Sequence, residues 1–263
     1  MADLQVPLSL GVQTGGSVIR PAAYTGIFAM KPSHNAISTE GQKTVSSTFD
    51  TVGFFARSIE DLQLIADIFA IKDDELPTDV PLGDSSTALV KTSMWNYAGP
   101  GTVAAMNKIA SILQSNGTNV DEIEFPTGFG NEEALNRMQT AIIEREAQVA
   151  FLPEYRAENT KLSPEICSIV ENSNNVTQKE YLQALDKYAS LRPIVDNMLA
   201  KCSVVVAPSA VDEAPLGLDD MGSPVFNTLW TVSCMSVVIK ISTLLAKGLH
   251  VPVIHIPAFN GSN

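Results

Sequence analysis

Basic residues are scarce in this chain. Its 263 residues include 17 lysines and arginines against 29 aspartates and glutamates, a formal net charge of -12 at pH 7. Proteins that bind nucleic acid or anionic lipid need a basic face that displaces counterions from phosphate groups. The charge balance therefore argues against nucleic acid and anionic membrane as partners.

Cysteine and histidine are rare as well. The cysteines are odd in number and have no metal-ligand spacing, so they favour a reducing compartment over a disulfide scaffold. They are Cys167, Cys202 and Cys234. The histidines, His34, His250 and His255, are too scattered to indicate a metal site. We expect a cytoplasmic protein without a metal centre.

Long apolar runs are also missing. The most apolar late stretch, residues 237–257, is broken by Lys240, Lys247 and two histidines, whereas a membrane-spanning helix needs about 20 mostly apolar residues. The first residues lack the basic and apolar segments of a signal peptide. With 45% hydrophobic and 17% charged residues, the composition is typical of a globular protein. We expect no membrane partner.

The chain does contain a glycine-rich loop at residues 14–22, with the sequence TGGSVIRPA. Gly15 and Gly16 permit backbone conformations closed to other residues and leave space for a ligand. Consecutive N–H groups in such a loop can hold a negatively charged oxygen, and Ser17 would place its hydroxyl at the rim. This pattern indicates a nucleophile beside an oxyanion hole. An ordinary flexible loop has the same composition, and these residues alone favour that interpretation.

Three sequence elements resemble the amidase signature family. Residues 8–26 are similar to its nucleophile segment, and residues 28–33 to its Gly-Phe-Lys-Pro-Thr element. Residues 50–62 are similar to its Asp-Thr-x-Gly-x-x-Ala-Arg-Ser-Val-x-Asp-Leu element. The order of these elements within one short span makes the resemblance specific. It favours a nucleophile loop over an ordinary flexible loop at residues 14–22. The resemblance implies an α/β fold, with a mixed central β-sheet covered by α-helices on both faces.

The resemblance also implies a chemistry. Members of the family hydrolyse carbon–nitrogen bonds in amides through a Ser–cis-Ser–Lys triad. Ser17 falls on the acyl-forming nucleophile, and Thr14, Gly15 and Gly16 fall on the oxyanion-hole donors. Arg20 is carried over as an orienting residue, although many members have the arginine one position earlier. The implied substrate is a small-molecule amide, no cofactor is implied, and the oligomeric state is not indicated.

Two of the three catalytic groups are missing upstream of Ser17. In the family, the lysine and the cis-serine both precede the nucleophile. Here sixteen residues precede Ser17 without a lysine, and Ser9 lies in an apolar, strand-like run. Gln13 stands where many members have an aspartate. We expect an incomplete amidase domain, truncated at both ends and inactive alone, or alternatively an inactive remnant with at most a binding role.

The resemblance divides residues 1–263 into segments of one incomplete amidase domain. Residues 1–71 form the nucleophile loop and a core segment, residues 131–201 a variable helical region, and residues 202–257 late core strands. Within the last segment, about 232–247 has no counterpart in the family. We expect this stretch to be a non-homologous insert, such as retained intron sequence.

Local patterns predict several elements. Residues 6–12 and 202–207 predict buried strands, and Ser58 predicts the N-cap of a helix. The side chains of that helix expected to face the core are Leu62, Ile65, Ala66 and Phe69.

Residues 87–125 predict a β–loop–α–β unit with a Gly-Pro-Gly turn at its centre. That turn lacks the third glycine of a nucleotide-binding loop, and Pro100 lacks an N–H group that a phosphate would use. A helix start is therefore the better interpretation. Glu144 and Glu146 are predicted on a solvated helix face, with a general base as the less favoured alternative. Lys31 is expected to reach solvent, with the missing catalytic base as its less favoured alternative.

Overall fold

The computed structural model describes residues 1–71, 85–126, 130–199, 202 and 204–232. Strands and helices are mixed along the chain, and the predicted α/β class is confirmed. The strands are β1 (Leu8–Gln13), β2 (Phe28–Met30), β3 (Thr51–Ala56), β4 (Ser86–Lys91), β5 (Asn119–Glu124) and β6 (Val204–Val206). The helices are α1 (Ile19–Thr25), α2 (Ile59–Ile68), α3 (Pro100–Ser115), α4 (Glu132–Glu158), α5 (Pro164–Val170), α6 (Gln178–Leu199) and α7 (Val225–Val232).

The first sheet is antiparallel and has the strand order β1-β3-β2. Gly53 lies at its centre, opposite Gly11 of β1. A Cβ atom at Gly53 would lie 2.8 Å from Cγ2 of Val18 and 2.9 Å from the carbonyl oxygen of Met30. The missing side chain therefore admits the fully buried Val18 onto the sheet. This contact fixes the chain immediately before α1.

The second sheet is parallel and has the strand order β5-β4-β6. The connection from β4 to β5 contains α3, whose N-terminus is capped by the chain itself. One carboxylate oxygen of Asp212 accepts a hydrogen bond of 3.0 Å from the N–H of Gly101. A Cβ atom at Gly99 would overlap the other carboxylate oxygen. An internal carboxylate thus occupies the place where a phosphate would bind.

The largest hydrophobic core lies between the second sheet and helices α4, α6 and α7. Its fully buried members include Phe49, Ile142, Leu191, Phe226 and Leu229. The ring of Phe49 packs edge-on against Tyr188 of α6, with 5.3 Å between the ring centroids. The helical region is therefore joined to the segment that leads into β3.

Helix α2 begins as its sequence predicts. The hydroxyl of Ser58 accepts a hydrogen bond of 3.1 Å from the N–H of Asp61, which confirms the N-cap. Leu62 and Ala66 are buried. Phe69 follows the last turn of the helix and is 40% exposed. Its ring nevertheless packs against the fully buried Phe54, with 5.2 Å between the ring centroids, so it faces the core as expected.

Lys31 does not reach solvent, and that expectation is wrong. Its side chain is 6% exposed, and its ammonium group donates a hydrogen bond of 3.0 Å to the carbonyl of Pro32. The side chain therefore lies close to its own backbone.

Glu146 is not a solvated glutamate, and that expectation is wrong as well. Its carboxylate accepts hydrogen bonds from the hydroxyls of Ser46 and Thr48, both at 2.5 Å, and from the N–H of Thr48 at 3.0 Å. The hydroxyl of Tyr181 donates a fourth at 3.3 Å. The pattern of charges on α4 could not reveal this anchor, because Ser46 and Thr48 lie about 100 residues away in the sequence and Tyr181 lies 35 residues away.

Several sequence predictions lie partly or wholly outside the described residues. They are the insert at about 232–247, the late strand beyond it, and residues Cys234, His250 and His255. No helix in the described part of the chain is long and apolar enough to cross a membrane.

Replacing Glu146 tests the anchor between α4 and the segment before β3. We expect Glu146→Ala to lower the free energy of unfolding by about 2–3 kcal/mol, because several part-buried donors lose a charged acceptor. Glu144→Ala is the matched control on the same helix. It removes one exposed hydrogen bond, from Asn174, and should cost less than about 0.5 kcal/mol. Urea unfolding measures both, and equal losses would contradict the anchor.

Candidate active site

Residues 14–18, which we call the Gly-Gly loop, connect β1 to α1. The loop leaves β1 after Gln13, which pairs with Thr51 of β3. It reaches α1 through the buried Val18. Both ends of the loop are therefore fixed to the first sheet.

Three successive carbonyl groups of the Gly-Gly loop are held by hydrogen bonds. Two of the donors are side chains from distant helices, and the third is a backbone N–H of α1. The bonds run from Gln139 Nε2 to Thr14 (3.3 Å), from Thr231 Oγ1 to Gly15 (2.5 Å) and from the Arg20 N–H to Gly16 (3.0 Å).

The carbonyl bonds set the direction of the neighbouring N–H groups. The described peptide bonds are trans, and in a trans peptide the N–H points away from the C=O. The anchored carbonyls therefore orient the N–H groups of Gly15, Gly16 and Ser17. None of these three groups donates a hydrogen bond to another residue in the described part of the chain. Such an array of free donors can stabilise an anionic oxygen.

Ser17 is exposed, unlike the neighbouring Gly16 and Val18, which are buried. Within the described ranges, its hydroxyl makes no hydrogen bond. The hydroxyl is thus accessible to a ligand, and no described side chain forms a hydrogen bond with it through which its proton could leave.

Gln13 links the two ends of the Gly-Gly loop to α7. Its side chain is almost fully buried, with 1% exposure. Oε1 accepts hydrogen bonds of 3.0 Å from the N–H groups of Val18 and Ile19, the first donors of α1. Nε2 donates a bond of 2.9 Å to the hydroxyl of Thr231. Gln13, which in the sequence stands out only as a departure from the family pattern, therefore holds the Gly-Gly loop to both α1 and α7.

Asp50 holds the first residue of the loop. Its Oδ1 accepts a hydrogen bond of 2.6 Å from the hydroxyl of Thr14. Its Oδ2 accepts bonds from the N–H groups of Val45 and Ser46, at 2.7 and 3.1 Å. With 3% exposure, Asp50 fixes the Gly-Gly loop to the segment before β3.

The side chain of Arg20 points towards a different segment. Its Nη1 donates a hydrogen bond of 2.5 Å to the carbonyl of Gly222. Tyr24 packs against the same glycine, and burial raises the pKa of its hydroxyl although the Arg20 guanidinium opposes that shift. Arg20 therefore ties α1 to the chain before α7, and its predicted orienting role stays a prediction.

The two glycines are needed for space and not for an unusual backbone. Neither Gly15 nor Gly16 has a positive φ, which corrects the expectation from their conformational freedom. A Cβ atom at Gly16 would lie 2.7 Å from Oδ1 of Asn227 and 3.0 Å from Cβ of Pro224. At Gly15 the nearest atom would be Nε2 of Gln139, at 3.7 Å.

Sequence reasoning missed the side chains that support the loop from outside. They are Gln139, Thr231, Asp50 and Asn227. Asp50 opens one of the three family elements, which is a usable signal, whereas a glutamine within a charged helix carries none. No group of potential metal ligands occurs in the described part of the chain.

A methyl group at each glycine tests the packing of the loop. We expect Gly16→Ala to lower the free energy of unfolding by about 1–3 kcal/mol, because Asn227 or Pro224 must move. Gly15→Ala is the matched control, since its methyl group meets only ordinary contact distances, and it should cost less than about 1 kcal/mol. Thermal unfolding compares the two. A Gly15→Ala loss equal to that of Gly16→Ala would contradict the steric account.

Curated relatives match this chain over short stretches. It is 42% identical over 93 residues to a glutamyl-tRNA(Gln) amidotransferase subunit of Clostridium acetobutylicum, which covers 35% of this chain and 19% of the relative. It is 50% identical over 60 residues to amidase 1 of Arabidopsis thaliana, which covers 23% of this chain and 14% of the relative.

Solved structures share the fold over most of the chain. An amidase crystal structure superposes with a TM-score of 0.73 at 21% identity and covers 86% of this chain. A 6-aminohexanoate cyclic dimer hydrolase superposes with a TM-score of 0.67 at 17% identity and covers 87%. The chain spans 53% and 56% of these proteins, about half their length.

The family model described as Amidase matches residues 1–258, nearly the whole sequence. This match agrees with the three motifs around the Gly-Gly loop and with the superposed folds. The chain belongs to the amidase family.

Proposed function

We propose that this chain carries the nucleophile and the oxyanion hole of an enzyme that hydrolyses carbon–nitrogen bonds in small amides. One observation carries the proposal: the exposed hydroxyl of Ser17 adjoins three consecutive N–H groups that donate to no described residue. Membership of the amidase family supports amide hydrolysis as the reaction that this geometry serves.

In the proposed reaction, the Ser17 oxygen attacks the carbonyl carbon of the amide. The carbonyl oxygen becomes an oxyanion, which the N–H groups of the Gly-Gly loop stabilise. The C–N bond then breaks, the departing amine takes up the proton that the Ser17 hydroxyl has lost, and water hydrolyses the acyl ester left on Ser17. No step needs a metal or an organic cofactor.

The proposal includes a limit. A serine hydroxyl is a weak nucleophile until a base removes its proton. The family resemblance assigns that task to a lysine acting through a cis-serine, and no described residue forms a hydrogen bond with the Ser17 hydroxyl. We therefore propose that residues 1–263 do not turn over amides without additional protein.

A second candidate is a binding role without turnover, as in an inactive remnant of an amidase. The unpartnered Ser17 hydroxyl favours it, because a ligand could occupy the oxyanion hole without reacting. The two candidates differ in one property, the reactivity of Ser17.

The substrate class of the proposal is a small-molecule amide. One relative is named as part of a glutamyl-tRNA(Gln) amidotransferase, but the net charge of -12 disfavours direct RNA contact by this chain. We also propose the division into family segments at residues 1–71, 131–201 and 202–257. We propose a cytoplasmic location for the protein as well.

Amide turnover by the purified chain tests the proposed limit. We expect no release of amine from a panel of acyl p-nitroanilides above the level of Ser17→Ala, because the hydroxyl has no base. Chromatography on two different resins serves to remove contaminating amidases. Turnover that persists through both columns and disappears in Ser17→Ala would contradict the limit.

A fluorophosphonate probe then separates the catalytic from the binding candidate. Slow labelling that is lost in Ser17→Ala supports a nucleophile in a functional oxyanion hole. If wild type and Ser17→Ala are labelled equally, the binding role is favoured instead.

A further inference from the structure

We propose that Gln13 and Thr231 are positioning residues of the oxyanion hole. They form a chain of hydrogen bonds that ends on the carbonyl of Gly15 and thereby aims the N–H of Gly16 at the substrate oxygen. The inference rests on the proposed function, since it assigns a purpose to the orientation of that N–H.

The donors and acceptors available to Gln13 and Thr231 fix the direction of each hydrogen bond in this series. The N–H groups of Val18 and Ile19 can only donate, so the atom of Gln13 that faces them must be the amide oxygen. The NH₂ group of Gln13 therefore faces Thr231 and donates to its hydroxyl. The single proton of that hydroxyl is left for the Gly15 carbonyl. Each bond in this series then joins one donor to one acceptor, and the reverse orientation of the Gln13 amide would place its NH₂ group against the N–H groups of Val18 and Ile19.

Gln13 and Thr231 are buried, so losing one of their hydrogen bonds leaves polar groups without a partner. Gln13 and Thr231 are 1% and 4% exposed, so water cannot readily replace either partner. The Gly15 carbonyl and the Gly16 N–H belong to one trans peptide, which rotates as a unit. Without the Thr231 hydroxyl, nothing described holds that carbonyl, and the peptide is free to turn the Gly16 N–H away from the substrate.

The amide at position 13 matters because a glutamate, which has the same length, could not make the same set of hydrogen bonds in this chain. A carboxylate would still accept from Val18 and Ile19, but it has no proton to donate. It would instead attract the hydroxyl proton of Thr231 in a charge-assisted hydrogen bond. The Gly15 carbonyl would then lose its donor. Gln13 and the Thr231–Gly15 bond are thus coupled.

The first experiment measures the orientation of the Gly16 N–H directly, through its ¹H–¹⁵N residual dipolar coupling. We expect Thr231→Val to change or average this coupling, and Thr231→Ser, which keeps the hydroxyl, to retain it. Thr87→Val is the matched control, because Thr87 is a buried threonine whose hydroxyl has no partner in the described structure. An unchanged coupling in Thr231→Val would overturn the inference.

The second experiment measures the oxyanion hole with phenylboronic acid. The Ser17 oxygen bonds to the trigonal boron, and water accepts the hydroxyl proton, so the adduct needs no base from the protein. The anionic boronate places an oxygen beside the loop N–H groups. We expect Thr231→Val to bind the boronate about tenfold more weakly, the loss of about one hydrogen bond. Thr231→Ser and Thr87→Val should bind as the wild type does. Equal affinity for wild type and Thr231→Val would overturn the inference even if the coupling changes.

The two readouts separate failure of the inference from failure of the proposed function. If the wild type takes no boronate, the proposed function fails, and the Gly16 coupling alone decides whether Thr231 orients the peptide. Gln13→Glu gives a second variant if Thr231→Val does not fold. It should change the Gly16 coupling in the same way, and an unchanged coupling there would also count against the inference.

Discussion

Three hydrogen bonds hold the carbonyl groups of residues 14, 15 and 16, and the proposed chemistry depends on them. A peptide group has one donor and one acceptor on opposite sides, so fixing each carbonyl also fixes the following N–H. The bonds come from α4, α7 and α1. The Gly-Gly loop therefore takes its shape from parts of the chain far apart in sequence, while its N–H groups stay free for a ligand.

Helix α4 shows how the rest of the fold supports this arrangement. Gln139, which reaches the loop, and Glu146, which accepts four hydrogen bonds, lie about two turns apart and therefore on one face of the helix. Glu146 binds the segment before β3 through Ser46 and Thr48. Asp50 then links that segment to Thr14. The helix and the loop are thus held by the same short stretch of chain, which explains why a lone glutamate of α4 is anchored and not solvated.

The sequence predicts local features of this fold well. Ser58 has the residue type and position of an N-cap. The strand-like and helix-like patterns of residues 87–125 predict β4, α3 and β5 to within a few residues. Both features depend on near neighbours in the chain. The family motifs likewise indicate the Gly-Gly loop as the place to look for a site.

The sequence does not predict the long-range contacts that shape the site. Thr231 and Gly15 are separated by 216 residues. The local sequence around Thr231 does not indicate that its hydroxyl donates to the Gly15 carbonyl. The two glycines suggest an unusual backbone, but the requirement at Gly16 comes from Asn227 and Pro224, which pack where a side chain would be. Each error concerns a partner that only the folded chain supplies.

A crystal structure of the chain with phenylboronic acid tests the central claim most directly. The account predicts a bond from the Ser17 oxygen to boron, a boronate oxygen within hydrogen-bonding distance of the Gly16 N–H, and the Gly15 carbonyl still bound to Thr231. A Gly15–Gly16 peptide turned the other way, with its N–H towards Thr231 and its carbonyl towards the boronate, would contradict it.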